Sequence, residues 1–387
     1  MPGRRIDHTT DVLVIGAGLH GASVAMQLAG HGQKVIVVDR GIGGRHSSSA
    51  NAGGVRRLWR DLRELSLAFE AAHMWRDLKT LVGDDCGYVE TGGLKVAESA
   101  DDMAALETRI ERAHKAGFRH ERLIDRAELR SLVPNLSDHC VGAIHVPDDG
   151  FASPYRTTRA FQDQARRNGA DILFHHPVRE IAHTASSWVV QAGDLVIEAG
   201  IIINCAGAWG DIIATEIGDD LPLSAEAPTM MVTAPMPQFL TPVVGAVSRK
   251  LSFKQAPNGI VLIGGGHRGF VDRITGKTRP DFLSLARSAR TVIDLFPEMA
   301  QVPIVRAWCG IEGLTPDHLP YIGQSPTHDT VYHVFGFSSH GFQLAPIVGQ
   351  QVAELILDGR SRLSLDAFSP NRFSHQSLET LGARSHA

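Results

Sequence analysis

Cysteine is scarce and scattered in this chain. Its four copies, Cys86, Cys140, Cys205 and Cys309, stand far apart in 387 residues, with no C-x-x-C pair and no metal-ligand spacing. That argues against a disulfide-stapled scaffold or a thiolate metal centre and leaves reduced, mostly buried thiols. The nineteen histidines show no H-E-x-x-H or other paired spacing, so nothing supports a histidine metal site. Basic excess is missing too. A net charge of −4 offers nothing to drive counterion release from a nucleic acid or docking on an anionic membrane. No apolar run approaches the roughly 18 residues that a spanning helix needs. The arginines of MPGRRIDHTT raise the question of a signal peptide. The apolar run behind them begins at Asp11 and is broken by Gly16 and Gly18, so it reads as a strand entering a glycine turn. The chain is expected in the cytoplasm.

What the sequence does have is DVLVIGAGLHGASVAMQLAGHGQKVIVVDR, residues 11–40. Val12 to Ile15 read as a strand, Gly16 to Gly21 as a glycine turn, His20 to His31 as a helix and Val35 to Val38 as a second strand. A lone G-x-G-x-x-G is often only a tight turn. Here strand, helix and acidic residue complete the context of a dinucleotide site. Gly16 permits the sharp turn, Gly18 lets backbone approach a pyrophosphate, and Gly21 lets helix and strand pack closely. The helix N-terminus offers free N–H groups and partial positive charge to phosphates. Asp39 is expected to accept hydrogen bonds from ribose hydroxyls, with Arg40 beside it in the same site.

Downstream, GIGGRHSSSANAGGVRR is too small and polar for a core. Helices are expected at about 61–83 and 100–117, and turn, helix and strand over 148–181. Ile197 to Asn204 reads as another buried strand. Residues 221–309, apolar alternation punctuated by proline, suit an antiparallel sheet. Small-residue motifs return at 310–349, a helix runs to about 358, and the tail from 369 is polar and expected to be loose. The class is α/β, α+β overall: a Rossmann-like domain beside a second, mainly antiparallel one.

Together these pieces resemble the D-amino-acid oxidase/sarcosine oxidase/glycine oxidase superfamily of FAD enzymes. The resemblance rests on the βαβ unit and on SSSANAGGVR (47–56), DGFASPYRTTRAF with NGADILFHHPVREI (149–181), IINCAGAW (202–209), VLIGGG (261–266), WCGIEGLTPDHLPYIG (308–323) and FGFSSHGFQLAPIVG (335–349). It implies FAD rather than NAD, an FAD-binding domain over 1–84, 148–218 and 310–368, and a substrate domain over 85–147 and 219–309. Within the superfamily the chain looks most like the β-type subunits of opine and proline/hydroxyproline dehydrogenases and of hydrogen cyanide synthase. Those subunits work beside partner polypeptides, which makes a heteromeric complex an expectation here.

The resemblance also assigns roles. Gly16, Gly18, Gly21 and Asp39 would hold the ADP half of FAD. Ser48, Ser49, Asn51, Ala52 and Gly53 match a loop over the pyrophosphate and toward the ring, Val178 a strand residue at the adenine, and Gly207 a turn beside the pyrophosphate. Gly341, Phe342 and Gln343 would set a helix N-terminus at the flavin C2 carbonyl, where reduction puts negative charge. His340 either touches the flavin or braces that turn. The implied chemistry is hydride transfer from the α-carbon of a neutral amine to flavin N5. It needs no triad, and none is found.

Arg56 aligns with an arginine that binds the substrate carboxylate in sarcosine oxidases; the alternative is a surface ion pair in an arginine-rich stretch. Other positions depart from the family. Glu312 stands where D-amino-acid and glycine oxidases carry a carboxylate-binding arginine, and Gln343 where sarcosine oxidases have a lysine. Glu312 either faces the pocket, favouring a cationic group on the substrate, or pairs with Arg306. Cys309 is offset from the position of covalent attachment and Pro154 replaces a histidine, so noncovalent FAD is expected. GIVLIGGGH lacks the oxygen-activating lysine, which favours a dehydrogenase over an oxidase, and His267 is a further pocket candidate. The alternatives are a glycine or D-amino-acid oxidase using O2, and a subunit whose FAD only relays electrons.

Overall fold

The computed structural model describes residues 5–373. Its first sheet starts from His8–Ile15 and Val35–Val38, in which Val12 to Ile15 and Val35 to Val38 are all buried. Strands buried on both faces need cover on both, and these near-continuous Val/Ile runs match that demand. Val12, Val14, Val35 and Val37 face a layer of helices, Leu19–Gly30, Pro154–Arg167 and Gly341–Asp358. Leu13, Ile15, Ile36 and Val38 face the opposite way, toward Trp188, Val190 and helix Gly210–Ile217.

The pairing register decides where a ligand can sit. Ile15 lies opposite Val38 on one side and Asn204 on the other, all in parallel. Three strands therefore end together, and the crevice beyond such a carboxyl edge is where open α/β sheets bind ligands. Asp171–Leu173 and Val331–Phe335 extend the parallel part, while Val178–His183, Trp188–Ala192 and Leu195–Asn204 form an antiparallel meander at the edge. Helix Gly341–Asp358 is pressed close to Leu19–Gly30. A Cβ on Gly349 would fall 2.1 Å from Ser23 Oγ, and that hydroxyl donates to the Ala345 carbonyl at 2.7 Å. This clasp helps aim the N-terminus of the longer helix at the same edge.

The second sheet is antiparallel throughout, save one parallel pair, Gly93–Ala97 with Val243–Ala246. One face packs on helix Phe282–Leu295 through Leu94, Val96, Phe253 and Phe296. The other packs on helix Ala100–Lys115 through Ala97, Ile144 and Leu106. The border expected at 310 runs through this sheet, since Glu312–Leu314 pairs with Ser224–Glu226.

Two local expectations change. The helix expected over 61–83 is a 3-10 turn, Leu62–Glu64, and two helices, Leu65–Arg76 and Leu78–Val82. Asp77 breaks it at φ −99° and ψ 19°, which lets Trp75 and Leu78 both reach the core. The tail is not loose where described: Pro370 is buried, and Arg372 pairs with Asp317 at 3.0 Å over the Tyr321 ring. Residues 374–387 lie outside the described residues. Among the described residues no helix is long and apolar enough to cross a membrane.

Candidate active site

At the carboxyl edge the backbone folds too tightly for side chains. Gly16 has φ 109°, and a Cβ there would come within 2.4 Å of the Cys205 carbonyl oxygen; one on Gly21 would come within 1.9 Å of the Gly16 oxygen. Asp39 stiffens the turn from below, accepting from the amides of Ala17 and Gly41 at 2.8 Å each. Ser48 Oγ accepts from Leu19 N at 3.0 Å, beside Gly18, tying the next loop to the start of the helix. A trough of about 520 Å³ opens here, lined by Gly16, Gly18, Asp39, Arg40, Val178 and Gly207 among others.

It runs on, through shared walls at Gly18, Ser47, Ser48, Cys205 and Gly207, into a second cavity of about 450 Å³ between the two sheets. Asn51 shapes the entry: its amide donates to Ser47 O at 2.8 Å and its oxygen accepts from Gly53 N at 2.6 Å. The far wall is the start of helix Gly341–Asp358, which has no side-chain cap. Ser338 and Ser339 before it hold left-handed φ of 49° and 71°, a strained approach of the kind functional sites keep. His20 stacks on Phe337 at 3.6 Å, and its Nε2 lies 3.0 Å from the Gly341 carbonyl oxygen; burial pushes its pKa down to about 3, so the ring is neutral and Nε2–H donates.

The charges around this cavity are mostly committed. Arg57 pairs with Asp148 and Asp149. Arg60 reaches buried Glu64 at 3.5 Å and donates to the carbonyls of Arg56 at 2.7 Å and His340 at 3.0 Å. Glu64 Oε2 also lies 2.8 Å from His340 Nδ1, within ion-pair range though off the hydrogen-bond line of the ring. Burial pushes the Glu64 carboxyl up, but His340 and Arg60 more than offset it and hold it below its ordinary range. His340 itself is pushed down by burial, with Glu64 opposing. Glu312 accepts from Ser339 N at 2.6 Å and Ser339 Oγ at 2.7 Å, and burial raises its pKa. Arg56 differs. It lines the cavity half-buried, with a single hydrogen bond, to Leu58 O at 2.6 Å, and no carboxylate at ion-pair distance among the described residues, though Asp149, Glu64 and Glu121 attract it from farther off.

A trough and cavity of this combined size suit a dinucleotide with room for a small reactant. The glycine cradle, Asp39 and the uncapped helix end fit FAD. A family model described as FAD dependent oxidoreductase (DAO) matches residues 11–355. The chain belongs to the FAD dependent oxidoreductase family. One of its relatives, a subunit of the opine oxidase of Agrobacterium tumefaciens (strain Ach5), is 27% identical over 380 residues, 95% of this chain and 99% of that protein. Sarcosine dehydrogenase, mitochondrial, of Homo sapiens is 25% identical over 394 residues, 97% of this chain but 42% of that protein, so the chain spans less than half of it. The solved L-proline dehydrogenase from P. horikoshii superposes with a TM-score of 0.88 at 26% identity, covering 95% of this chain and 98% of that one.

Against this DAO-family frame the sequence-derived residues separate. Gly18, Ser48, Asn51, Ala52, Gly53, Arg56, Gly207, Glu312, His340, Gly341 and Phe342 meet around the cavity between the sheets, and Gly16, Asp39, Arg40 and Val178 line the trough. Gly21 lies outside both and serves helix packing. Three residues point elsewhere. Ser47–Ala50 is a turn of helix rather than a loop, so Ser49 rotates away and Ser47 lines the site instead. Gln343 is rotated off the wall to donate to Ala68 O at 2.9 Å. His267 leaves the cavity because Gly265 and Gly266 turn the chain at φ 119° and 86°; its ring sits near Lys250 and Arg287. Glu312 does not pair with Arg306, whose guanidinium lies over Trp308. Cys309 is held against Thr229, its Sγ 3.4 Å from the hydroxyl.

Residues that sequence reasoning missed include Ser47, Trp59, Lys95 and Lys254. Lys254 is buried, its ammonium donating to the Ala52 carbonyl and lying 4.1 Å over the Phe151 ring. A lysine inside the buried strand Ser252–Gln255 is the signal that was available.

Proposed function

We propose that this chain oxidises the C–N bond of an amino acid, an imino acid or an N-substituted, opine-like amino acid, with noncovalently bound FAD. Arg56 carries the reading: a half-buried guanidinium on the cavity wall, bound only to a carbonyl, has a fork of donors free for a carboxylate. Bound FAD would supply the two-electron acceptor, taking hydride at N5 from the α-carbon while the nitrogen lone pair forms the iminium. The protein's own part is orientation, proton handling and exclusion of water. Arg56 fixes the carboxylate. Glu312, tied down by Ser339 on one side, offers its remaining lone pairs to the substrate's cationic nitrogen. Reaction requires the neutral amine, and His340, kept neutral by burial and placed by Glu64, can receive the released proton. Leu58, Met230 and Leu251 give the cavity its apolar wall.

Dehydrogenase chemistry is favoured over use of O2. The strand Val261–Gly264 brings no ammonium to the site, and the buried ammonium of the neighbouring strand, Lys254, is engaged by Ala52 and Phe151. The Agrobacterium relative is named as one subunit of its oxidase, which supports a partner polypeptide beside this chain. The purified chain is expected to be yellow and to release all its FAD on acid precipitation. With substrate it should reduce an artificial electron acceptor faster than it consumes O2. Flavin retained in the pellet contradicts noncovalent binding, and O2 consumption that matches dye reduction contradicts the dehydrogenase assignment.

A further inference from the structure

Beyond Arg56, one more cation on the cavity wall has no carboxylate at ion-pair distance among the described residues. Each carboxylate near that wall has its partners. Asp149 accepts from Arg57 N at 2.9 Å and Leu58 N at 2.9 Å, and pairs with the Arg57 guanidinium. Glu64 is engaged by Arg60 and His340. Glu121 takes Arg109 at 2.8 and 3.1 Å and the Trp59 amide at 2.7 Å. Asp102 accepts from Glu98 N and from the Ser248 hydroxyl. None of them comes within ion-pair distance of Lys95, and only Asp102 attracts it from farther off. Among the described residues its ammonium has a single partner, the Trp59 ring at 5.1 Å, which is attractive but carries no charge.

Lys95 is also held in place. It sits mid-strand in Gly93–Ala97, paired with Gly245 on one side and Ile144 on the other. The lysine stem packs over Gly245, its Cδ 3.7 Å from where a Cβ would stand, an ordinary van der Waals distance. Besides Arg60 and Asp149, each already paired, Arg56, Lys95 and Glu312 line this cavity as two cations and one carboxylate. The complement of that pattern is a molecule with two carboxylates and one ammonium. We infer that the site takes a secondary amine bearing two carboxylates, an N-(carboxyalkyl) amino acid, with one carboxylate on Arg56, the other on Lys95 and the amine toward Glu312. Burial and the Arg56 charge push the Lys95 pKa down to about 8, with Asp102 opposing, and a second carboxylate beside the ammonium would stabilise it. The inference rests on the amine-oxidising reading above and narrows its substrate.

The test compares matched substrates on the FAD-loaded full chain: iminodiacetate and N-(carboxymethyl)alanine against N-methylglycine and N-methylalanine. The parent should prefer the dicarboxylates in kcat/KM by roughly ten-fold or more, the worth of one charge-assisted contact. Lys95→Met should erase that preference by lowering kcat/KM for dicarboxylates alone, and Lys95→Arg should keep much of it. Thiodiacetate, which has no nitrogen to oxidise, should bind the parent and perturb its flavin spectrum, and should bind Lys95→Met about ten-fold more weakly. That binding result stands even if the variant turns over poorly. Monocarboxylates oxidised as well as dicarboxylates, or Lys95→Met lowering both alike with thiodiacetate binding unchanged, would overturn the second carboxylate while leaving amine oxidation intact. Failure of every amine in both sets to reduce the flavin would overturn the underlying reading instead.

Discussion

Replacing Arg56 is the sharpest single perturbation of the proposed site. Its guanidinium has one hydrogen bond, to Leu58 O at 2.6 Å, and no carboxylate at ion-pair distance among the described residues, so most of its donors are free for substrate. Truncating one side of a buried, hydrogen-bonded charge pair costs about 2–5 kcal/mol. For Arg56→Ala this amounts to a loss in kcat/KM of roughly 30-fold to several thousand-fold. The cavity is open enough for the lower half of that range to be expected. Arg56→Lys keeps the charge and loses the fork, and its ammonium is also drawn to Leu58 O, so it should fall between parent and alanine. Fold and flavin should survive both changes, apart from about 1 kcal/mol for the Leu58 carbonyl left without a donor. Steady-state kinetics with a carboxylate substrate and with its decarboxylated amine separates the effects. The loss should appear with the first and be nearly absent with the second. If Arg56→Ala turns over the carboxylate substrate like the parent, the clamp is elsewhere. Arg249 and Arg268 are poor replacements, since they pair with Glu98 and Asp294 and with Glu226.

Asp39→Ala removes the acceptor of two loop amides as well as a ribose contact, so FAD affinity by fluorescence titration should drop by at least the roughly 1.5–3 kcal/mol of a charged hydrogen bond; unchanged affinity would place the adenosine outside the trough. Glu64→Gln removes the charge that raises the His340 pKa, so the acid limb of the kcat/KM profile, already below the ring's ordinary 6.5, should move to still lower pH; an unmoved limb would take His340 out of proton transfer. Burial pushes the Lys254 pKa down to about 7, against an ordinary 10.5. Between those values the unfolded chain binds the extra proton, so folding stability rises with pH across that window and the penalty is full below about 7. Lys254→Met should flatten that slope and stabilise the acid side in denaturant melts, while weakening FAD retention through the unbraced Ala52 loop; an unchanged slope would show the ammonium to be satisfied by Ala52 and Phe151.

The cradle was legible because its signals are local. Strand, glycine spacing and Asp39 lie within thirty residues, and the glycines answer to close contacts at Gly16, Cys205 and Ser48. Arg56 was legible through the small-residue stretch before it. Lys95 and Lys254 were not, since their placement follows from partners far away in sequence, Gly245 paired with Lys95 across the sheet and the Ala52 carbonyl met by the Lys254 ammonium. The misplaced residues share another cause. One step along a helix turns a side chain by about 100 degrees, which is enough to carry Gln343 off the wall that holds Phe342, and Ser49 away from Ser48. His267 follows two left-handed glycines, whose reversal is not encoded by the apolar pattern around them. Glu312 meets Ser339 rather than Arg306, a partner set by the left-handed backbone at Ser338 and Ser339 and not by the residues around Glu312.

The central claim, direct oxidation of a carboxylate-bearing amine, is tested most directly by mixing the FAD-loaded chain anaerobically with a panel of opines, prolines, N-alkylglycines and D-amino acids while following the flavin's visible absorption. At least one amine with a carboxylate on its α-carbon should bleach that band in a single saturable phase, and Arg56→Ala should slow the bleaching without altering the oxidised spectrum. A flavin that stays oxidised with every amine of the panel, yet is reduced by an electron-donor protein, would contradict the account.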